Sequence, residues 1–279
     1  MVIKEIEVHD YLTKSNLPAS DFVINPYVGC SHSCKYCYAS FMKRFTGHQE
    51  DWGSFIDIKR CKRKINLNRI SKKTVFLSSV TDCYNHLEKK YLLTRSILEE
   101  LVHSDCYLSI STKSSLILRD IDLLKRFKNL TVSMSINTLD EGFRKDMDKA
   151  SSIEERFDTL QELHKNGIHT VLFMSPIFPY ITEWKEIIEK SKDFIDEYWF
   201  ENLNLRGPYK KVIMDYIKEK YMEHYKDYED IYKKGNKEYW HNLAIEINQY
   251  CDENAISYVN YFYHKDLVEN KKSQRKKIK

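Results

Sequence analysis

A run of short apolar segments, each followed by an amphipathic helical stretch, limits the fold more than any other feature of the sequence. TVFLSS at 74–79 precedes a helical pattern with Tyr91, Leu92, Ile97, Leu98, Leu101 and Val102. CYLSIST at 106–112 precedes a helix near 117–127. LTVSMSI at 130–136 alternates apolar Leu130, Val132, Met134 and Ile136 with small polar residues. Ser151 and Glu154 fit a capping box for a helix whose Ile153, Phe157, Leu160 and Leu163 share one face and whose end is marked by Gly167. HTVLFMS at 169–175 stops at Pro176 and Pro179, and a helix near 183–193 leads to EYWFENL at 197–203. With DFVINPYV at 21–28, about six βα units result. Repeated βα alternation implies a parallel sheet with helices outside. The expected fold is α/β, a partial (β/α)6 TIM-type barrel over residues 1–205, with its chemistry at the C-terminal ends of the strands. Residues 206–270 read as a mostly helical C-terminal extension, in which ISYVNYFY at 256–263 is a candidate further strand. Residues 271–279 read as a disordered basic tail.

Composition then removes whole function classes. Only seven glycines are present, no two close enough for a G-x-G-x-x-G fingerprint or a Walker A loop. No apolar run approaches the roughly 20 residues needed to span a bilayer, and the N-terminus lacks the apolar core of a signal peptide. The expectation is a cytoplasmic protein with no membrane association. Net charge is only +4, but residues 38–73 hold ten Lys/Arg against three Asp/Glu, and the last nine residues hold six basic groups and no acid.

The seven cysteines point to metal or catalysis in a reducing compartment. Cys30, Cys34 and Cys37 form a C-x3-C-x2-C loop within NPYVGCSHSCKYCYA. Three thiolates on one short loop can converge on one centre, but they leave a coordination position for another ligand. A zinc site completed by His32 or His48 satisfies this pattern. So does an iron–sulfur cluster with one iron open to a small chelating molecule.

The loop, with an aromatic residue before its last cysteine, resembles the radical S-adenosylmethionine (SAM) superfamily. Its wider context resembles the spore photoproduct lyase-like branch. FLSSVTD at 76–82, STKSSLILRDIDLL at 111–124, SMSINTLD at 133–140 and GIHTVLFMSPIFP at 167–179 extend the resemblance over roughly residues 20–205. Within that branch the sequence is most similar to the radical SAM mobile pair protein B group. The resemblance implies a [4Fe-4S] cluster on Cys30, Cys34 and Cys37, reduced by an external one-electron donor. It further implies reductive cleavage of SAM to methionine and a 5′-deoxyadenosyl radical, which takes hydrogen from a substrate.

Polar residues at the strand ends supply candidate SAM contacts. By family pattern Lys113 and Ser135 take the methionine end, with Ser78 or Ser79 beside them and Tyr36 by the adenine. Thr81, Asp82 and Asn137 lie at the same rim. Each has an ordinary alternative: serine, threonine and aspartate also cap helices. The Gly-Gly-Glu segment that many relatives carry after the second strand is absent, and SSVTD stands instead. Cys83 follows directly, where family members often have proline, and is a candidate hydrogen-atom donor. Cys61 lies among cations, Cys106 begins a strand, and Cys251 sits on the core face of a helix; these three read as incidental or packing residues.

Three functions compete. The first is a radical SAM enzyme acting on nucleic acid, supported by the lyase-like motifs, the 38–73 basic segment and the tail. The second is a radical SAM enzyme modifying a peptide or protein together with a paired radical SAM partner. The third is a non-catalytic, metal-stabilised nucleic-acid-binding module. Photoproduct repair itself is not expected: TDPY has become TDCY, and RKDMDKASS at 144–152 lacks the family's Glu-Pro pair.

Overall fold

The computed structural model describes residues 1–17 and 19–262; the basic tail and the end of the expected extension lie outside the described residues. Eleven strands form two sheets among the described residues. They are β1 (Val2–Glu7), β2 (Leu12–Lys14), β3 (Phe22–Ile24), β4 (Tyr27–Val28), β5 (Phe55–Arg60) and β6 (Thr74–Leu77), then β7 (Tyr107–Thr112), β8 (Leu130–Ser135), β9 (His169–Ile177), β10 (Glu197–Asn202) and β11 (Tyr258–Asn260). The large sheet runs β11-β10-β9-β8-β7-β6-β3-β2. Its pairings from β3 to β11 are all parallel, and only β2 is antiparallel. The six expected barrel strands are therefore present, flanked by one strand on each side. The short 256–263 candidate strand is β11, joined to β10.

The expected single strand at 21–28 is in fact two. Ile24 ends β3 in the large sheet, while Tyr27 and Val28 pair with β5 in a small sheet with β1. Pro26 offers no N–H for a ladder, and the chain turns there toward the cysteine loop. Helices cover the outer face: α1 (Leu67–Ile70), α2 (Glu88–Tyr91), α3 (Leu93–Leu101), α4 (Ile121–Leu124), α5 (Glu141–Met147), α6 (Ile153–Lys165) and α7 (Trp184–Ser191). The helix expected near 117–127 is a 3-10 turn, Ser115–Asp120, running into α4. The capping box at α6 is Ser152 with Glu155, one residue later than expected; Ser151 instead accepts from the Ser115 N–H. Such a cap contributes about 1 kcal/mol. Ile153, Phe157, Leu160 and Leu163 are all buried, as their spacing requires. Three further helices, α8 (Pro208–Lys220), α9 (Met222–Tyr232) and α10 (Glu238–Glu253), precede β11.

Strand alternation assigns each side chain to a face. Ile110, Val132, Met134 and Leu172 are buried in the layer between sheet and helices. Residues of opposite parity line the barrel interior: Ser111, Ser133, Ser135, Phe173, Ser175, Trp199 and Glu201. The side chains there on β7 and β8 are small serines, and Ser133 donates to Ser111 at 2.8 Å. Phe173, Trp199 and Tyr261 pack edge to face, with centroids 5.6–6.2 Å apart. No helix among the described residues is long and apolar enough to cross a membrane.

Candidate active site

Because the strands run parallel, their C-terminal ends share one rim, and the cysteine loop crosses it. Backbone geometry fixes the loop from two sides. Gly29 has φ +84, and a Cβ there would lie 2.3 Å from the Phe55 carbonyl oxygen, so only glycine lets β5 approach the loop this closely. Gly53 packs as tightly on Ser33, whose hydroxyl donates to the Gly53 carbonyl at 2.9 Å. On the other side the Lys35 N–H donates to the Met147 carbonyl at 2.9 Å, and the Lys149 N–H to the His32 carbonyl at 2.7 Å.

Asp82, at the end of the β6 turn, is the hub of this rim. It accepts from the Tyr84 N–H, the Thr112 hydroxyl and the Lys113 N–H, each at 2.8 Å, and His32 Nε2 lies 3.1 Å away. Burial works against its charge, but His32 and these donors outweigh it and lower its pKa. Its acceptor capacity is occupied by the protein, so Asp82 positions the loop and Lys113 and is not left to grip a ligand. Thr81 is similarly engaged, donating to the Gly29 carbonyl at 2.5 Å. Ser79 and Val80 N–H groups donate to Asn25 Oδ1 at 2.8 and 3.1 Å, and the Tyr38 hydroxyl donates to the Ser79 carbonyl. The Ser78 hydroxyl is buried, and its hydrogen bond to the Cys83 thiol counters part of the effect of burial there.

Lys113 reaches across the rim. Its ammonium lies 3.4 Å from the Ser175 carbonyl oxygen and 5.6 Å from the centre of the Tyr36 ring. Burial depresses its pKa, with the Cys34 charge opposing that effect. Tyr36 is buried and donates to Asp148 at 3.3 Å. Asp148 in turn pairs with Arg156 at 2.7 Å, both side chains being 1% exposed, and Arg156 also donates to the Ser135 and Ser151 carbonyls. Ser135 is buried at the end of β8, and Asn137 donates to the Pro176 carbonyl at 3.0 Å. Glu201 accepts from the Ser175 hydroxyl at 2.5 Å. The sequence reading missed Asn25, Asp148, Arg156, Ser175 and Glu201. Asn25 and Asp148 lay inside quoted motifs, and Glu201 ends a recognised strand, but their roles depend on contacts that cross the barrel.

The three loop thiols are pushed up in pKa by burial. Asp82 adds to this at Cys30 and Asp148 at Cys34, while Lys113 opposes it at Cys34. Cys37 is raised by burial and partly relieved by a hydrogen bond from Trp52. The thiols feel each other's charge, and Lys113 is the cation that acts on Cys34 and Cys37. This donor set suits a cationic iron–sulfur centre, which binds thiolates and supplies the missing positive charge. Neither histidine offered for zinc completes such a site. The His32 ring faces Asp82, and His48 lies 2.9 Å from both Glu50 and Asp57 while stacking on Phe55 at 3.9 Å. Among the described residues no three His, Cys, Asp or Glu side chains, the loop cysteines included, are drawn together as a metal site.

Cys83 is not at the mouth of the barrel. It is 0% exposed in the layer beneath the Asp82 turn, its carbonyl accepts from Thr94 on α3, and its thiol is raised by burial and then by Asp82. A hydrogen-atom donor must reach substrate, and this thiol is sealed from the interior face. Cys106 and Cys251 are buried as packing residues. The basic 38–73 segment is partly ion-paired. Arg60 pairs with Glu5 at 2.7 Å, Lys62 with Glu7 at 3.2 Å and Arg69 with Asp10 at 2.7 Å.

A parallel partial barrel with a three-thiol loop on its C-terminal rim defines a cofactor-dependent barrel enzyme. The Radical SAM superfamily model matches residues 24–191, more than half of the chain, and the chain belongs to that superfamily. Enzymes of this superfamily use a [4Fe-4S] cluster and SAM. An uncharacterised protein of Methanocaldococcus jannaschii is 37% identical over 224 residues, 80% of this chain and 85% of that protein. A radical SAM Nalpha-GlyT isomerase of Pseudomonas phage M6 is 26% identical over 166 residues, 58% of this chain and 34% of that protein. A spore photoproduct lyase mutant with bound AdoMet and dinucleoside spore photoproduct has the same fold, with TM-score 0.58 and 15% identity. It is covered to 65% of its length by 77% of this chain.

Proposed function

We propose that Cys30, Cys34 and Cys37 hold the [4Fe-4S] cluster and that Lys113, Ser78 and Ser135 receive the methionine part of SAM, with Tyr36 beside its adenine. When bound, the reduced cluster supplies the electron that splits SAM and generates the hydrogen-abstracting 5′-deoxyadenosyl radical. The observation that carries this reading is Lys113, whose backbone N–H is anchored on Asp82 at 2.8 Å and whose ammonium reaches the Ser175 carbonyl at 3.4 Å and the Tyr36 ring at 5.6 Å. A lysine there offers a point charge to a carboxylate, and the Ser78 and Ser135 hydroxyls can each donate or accept a hydrogen bond. Ser175 and Glu201 lie on the far side of Lys113, where a substrate would meet the radical.

The favoured substrate is a nucleic-acid base. The dinucleoside spore photoproduct bound to the lyase of the same fold supports it. So do Phe41 and Phe45, exposed aromatics just after the loop with Arg44 over both rings at 5.6 and 4.6 Å, an arrangement suited to base stacking. Arg60, Lys62 and Arg69, each ion-paired, do not add to it. A second reading, a peptide or protein substrate shared with a paired radical SAM partner, is favoured by a groove of about 580 Å³ between α7, α9 and α10. Its wall carries Glu186, Asp227 and Glu238 beside Tyr180 and Tyr239, and it repels phosphodiesters.

The test is anaerobic turnover with a single-stranded oligonucleotide pool, using substrates deuterated at base and sugar carbons. Deuterium arriving in 5′-deoxyadenosine supports the nucleic-acid reading. Transfer only from a deuterated peptide pool shifts the assignment to the second reading.

A further inference from the structure

We propose that the cavity around Lys59 is a phosphate site that takes one phosphodiester of a single-stranded nucleic acid. This rests on the nucleic-acid reading above and adds a second contact to it. The cavity, about 170 Å³, is several times the ~30 Å³ share of one water, enough for a phosphate group. Its wall includes Val28, on the strand entering the cysteine loop, and Met42, on the 3-10 helix Tyr38–Phe45 that leaves it, with Thr13, Asn25, Trp52 and Lys59. The Lys59 backbone is fixed from both sides. Its N–H donates to the Pro26 carbonyl at 3.2 Å, and its carbonyl accepts from the Tyr11 hydroxyl at 3.1 Å. Among the described residues no carboxylate lines the cavity, and none pairs with the Lys59 ammonium. Asp57, two residues back and so on the same face of β5, is committed to His48 at 2.9 Å. Arg60, the next residue, is neutralised by Glu5 at 2.7 Å.

An ammonium taken from water without a counter-charge is costly, and an anion in the cavity supplies that charge. Burial accordingly lowers the Lys59 pKa, with no neighbour opposing it. The other polar groups of the wall suit an anion too. Thr13, exposed on the edge strand β2, offers a hydroxyl. Asn25 is oriented by the Ser79 and Val80 N–H groups on its Oδ1, and its Nδ2 gives one hydrogen to Ser79 at 3.1 Å and keeps another to donate. The position of the cavity selects a phosphodiester. Met42 and Phe45 are three residues apart on a 3-10 helix, so they share a face. Phe45 is 67% exposed, with Arg44 over its ring at 4.6 Å. A strand whose base stacks on Phe45 runs its backbone past the Lys59 cavity.

The test is acetylation of the cluster-loaded chain with acetic anhydride, read at Lys59 by peptide mass spectrometry. The probes are a short single-stranded oligonucleotide and, separately, inorganic phosphate. Oligonucleotide at about ten times its Kd should slow Lys59 acetylation about tenfold, in proportion to the free fraction. Exposed Lys125, on the helix layer, should be unaffected. In fluorescence anisotropy over a salt series, Lys59→Met should weaken binding by about the same factor for every sequence. Its slope of log Kd against log salt should fall by about 0.7, the value for one phosphate of a single strand. An unchanged slope overturns the proposal. Should Lys59→Met fail to fold, the acetylation of the unaltered chain decides. Oligonucleotide binding that leaves Lys59 fully reactive overturns this inference and leaves the nucleic-acid reading standing. Protection by inorganic phosphate but not by bound oligonucleotide assigns the cavity to a free anion and likewise overturns it. An unaltered chain that binds no oligonucleotide overturns the nucleic-acid reading itself, and the inference with it.

Discussion

Arg156→Met should damage the cysteine loop from beneath, without touching a cysteine. Arg156 and Asp148 are both 1% exposed and 2.7 Å apart. Removing one partner of a buried pair leaves an uncompensated charge, at a cost of about 3–5 kcal/mol. Arg144 lies 3.7 Å from the same carboxylate and softens the loss, so the expected cost is about 3 kcal/mol, the lower end of that range. The guanidinium also leaves the Ser135 and Ser151 carbonyls. Urea unfolding of the metal-free, fully reduced protein measures this, and a melting scan should fall by about 6–12 °C, at about 2–4 °C per kcal/mol for a chain of this size. Adding Asp148→Asn to Arg156→Met should recover part of the loss, because the stranded charge is gone; the double-mutant cycle isolates that coupling. A loss under about 1 kcal/mol, within the ordinary range for single substitutions, or a double variant no more stable than Arg156→Met, would refute the reasoning.

Gly29→Ala should abolish cluster loading, because its Cβ meets the Phe55 carbonyl at 2.3 Å; iron content after reconstitution checks it, and full loading contradicts the geometry. For His48, burial opposes the charged ring, but the Asp57 and Glu50 hydrogen bonds win and raise its pKa. Its contribution to stability should be full below the unfolded value near 6.5 and fade as pH rises through the higher folded value. His48→Gln should flatten that slope in melting temperatures taken from pH 5 to 9; an identical slope would sink the assignment. Cys83→Ala should retain SAM cleavage and product formation, and loss of product with cleavage intact would restore Cys83 as a donor.

The barrel was legible because parallel strands buried on the helix side read as apolar periodicity, and β6 through β10 fall within a few residues of their expected places. The loop was legible because three cysteines so close together have few uses. What the sequence could not show depends on contacts between distant segments. Asp82 looked like a ligand candidate, but its partners come from His32, Thr112 and Lys113, brought together only by the sheet order. Cys83 directly follows a rim motif, yet one turn of chain carries its side chain to the other side of the layer. The basic segment looked continuous until β1 laid Glu5 and Glu7 along β5.

The central claim is that the loop thiols hold a redox-active cluster that cleaves SAM. Anaerobic reconstitution of the chain with iron and sulfide, followed by dithionite and SAM, tests it most directly. The account predicts a brown protein with about four irons that releases 5′-deoxyadenosine, and loss of both in Cys30→Ala, Cys34→Ala and Cys37→Ala. A colourless zinc protein, or 5′-deoxyadenosine formation that survives those substitutions, would contradict it.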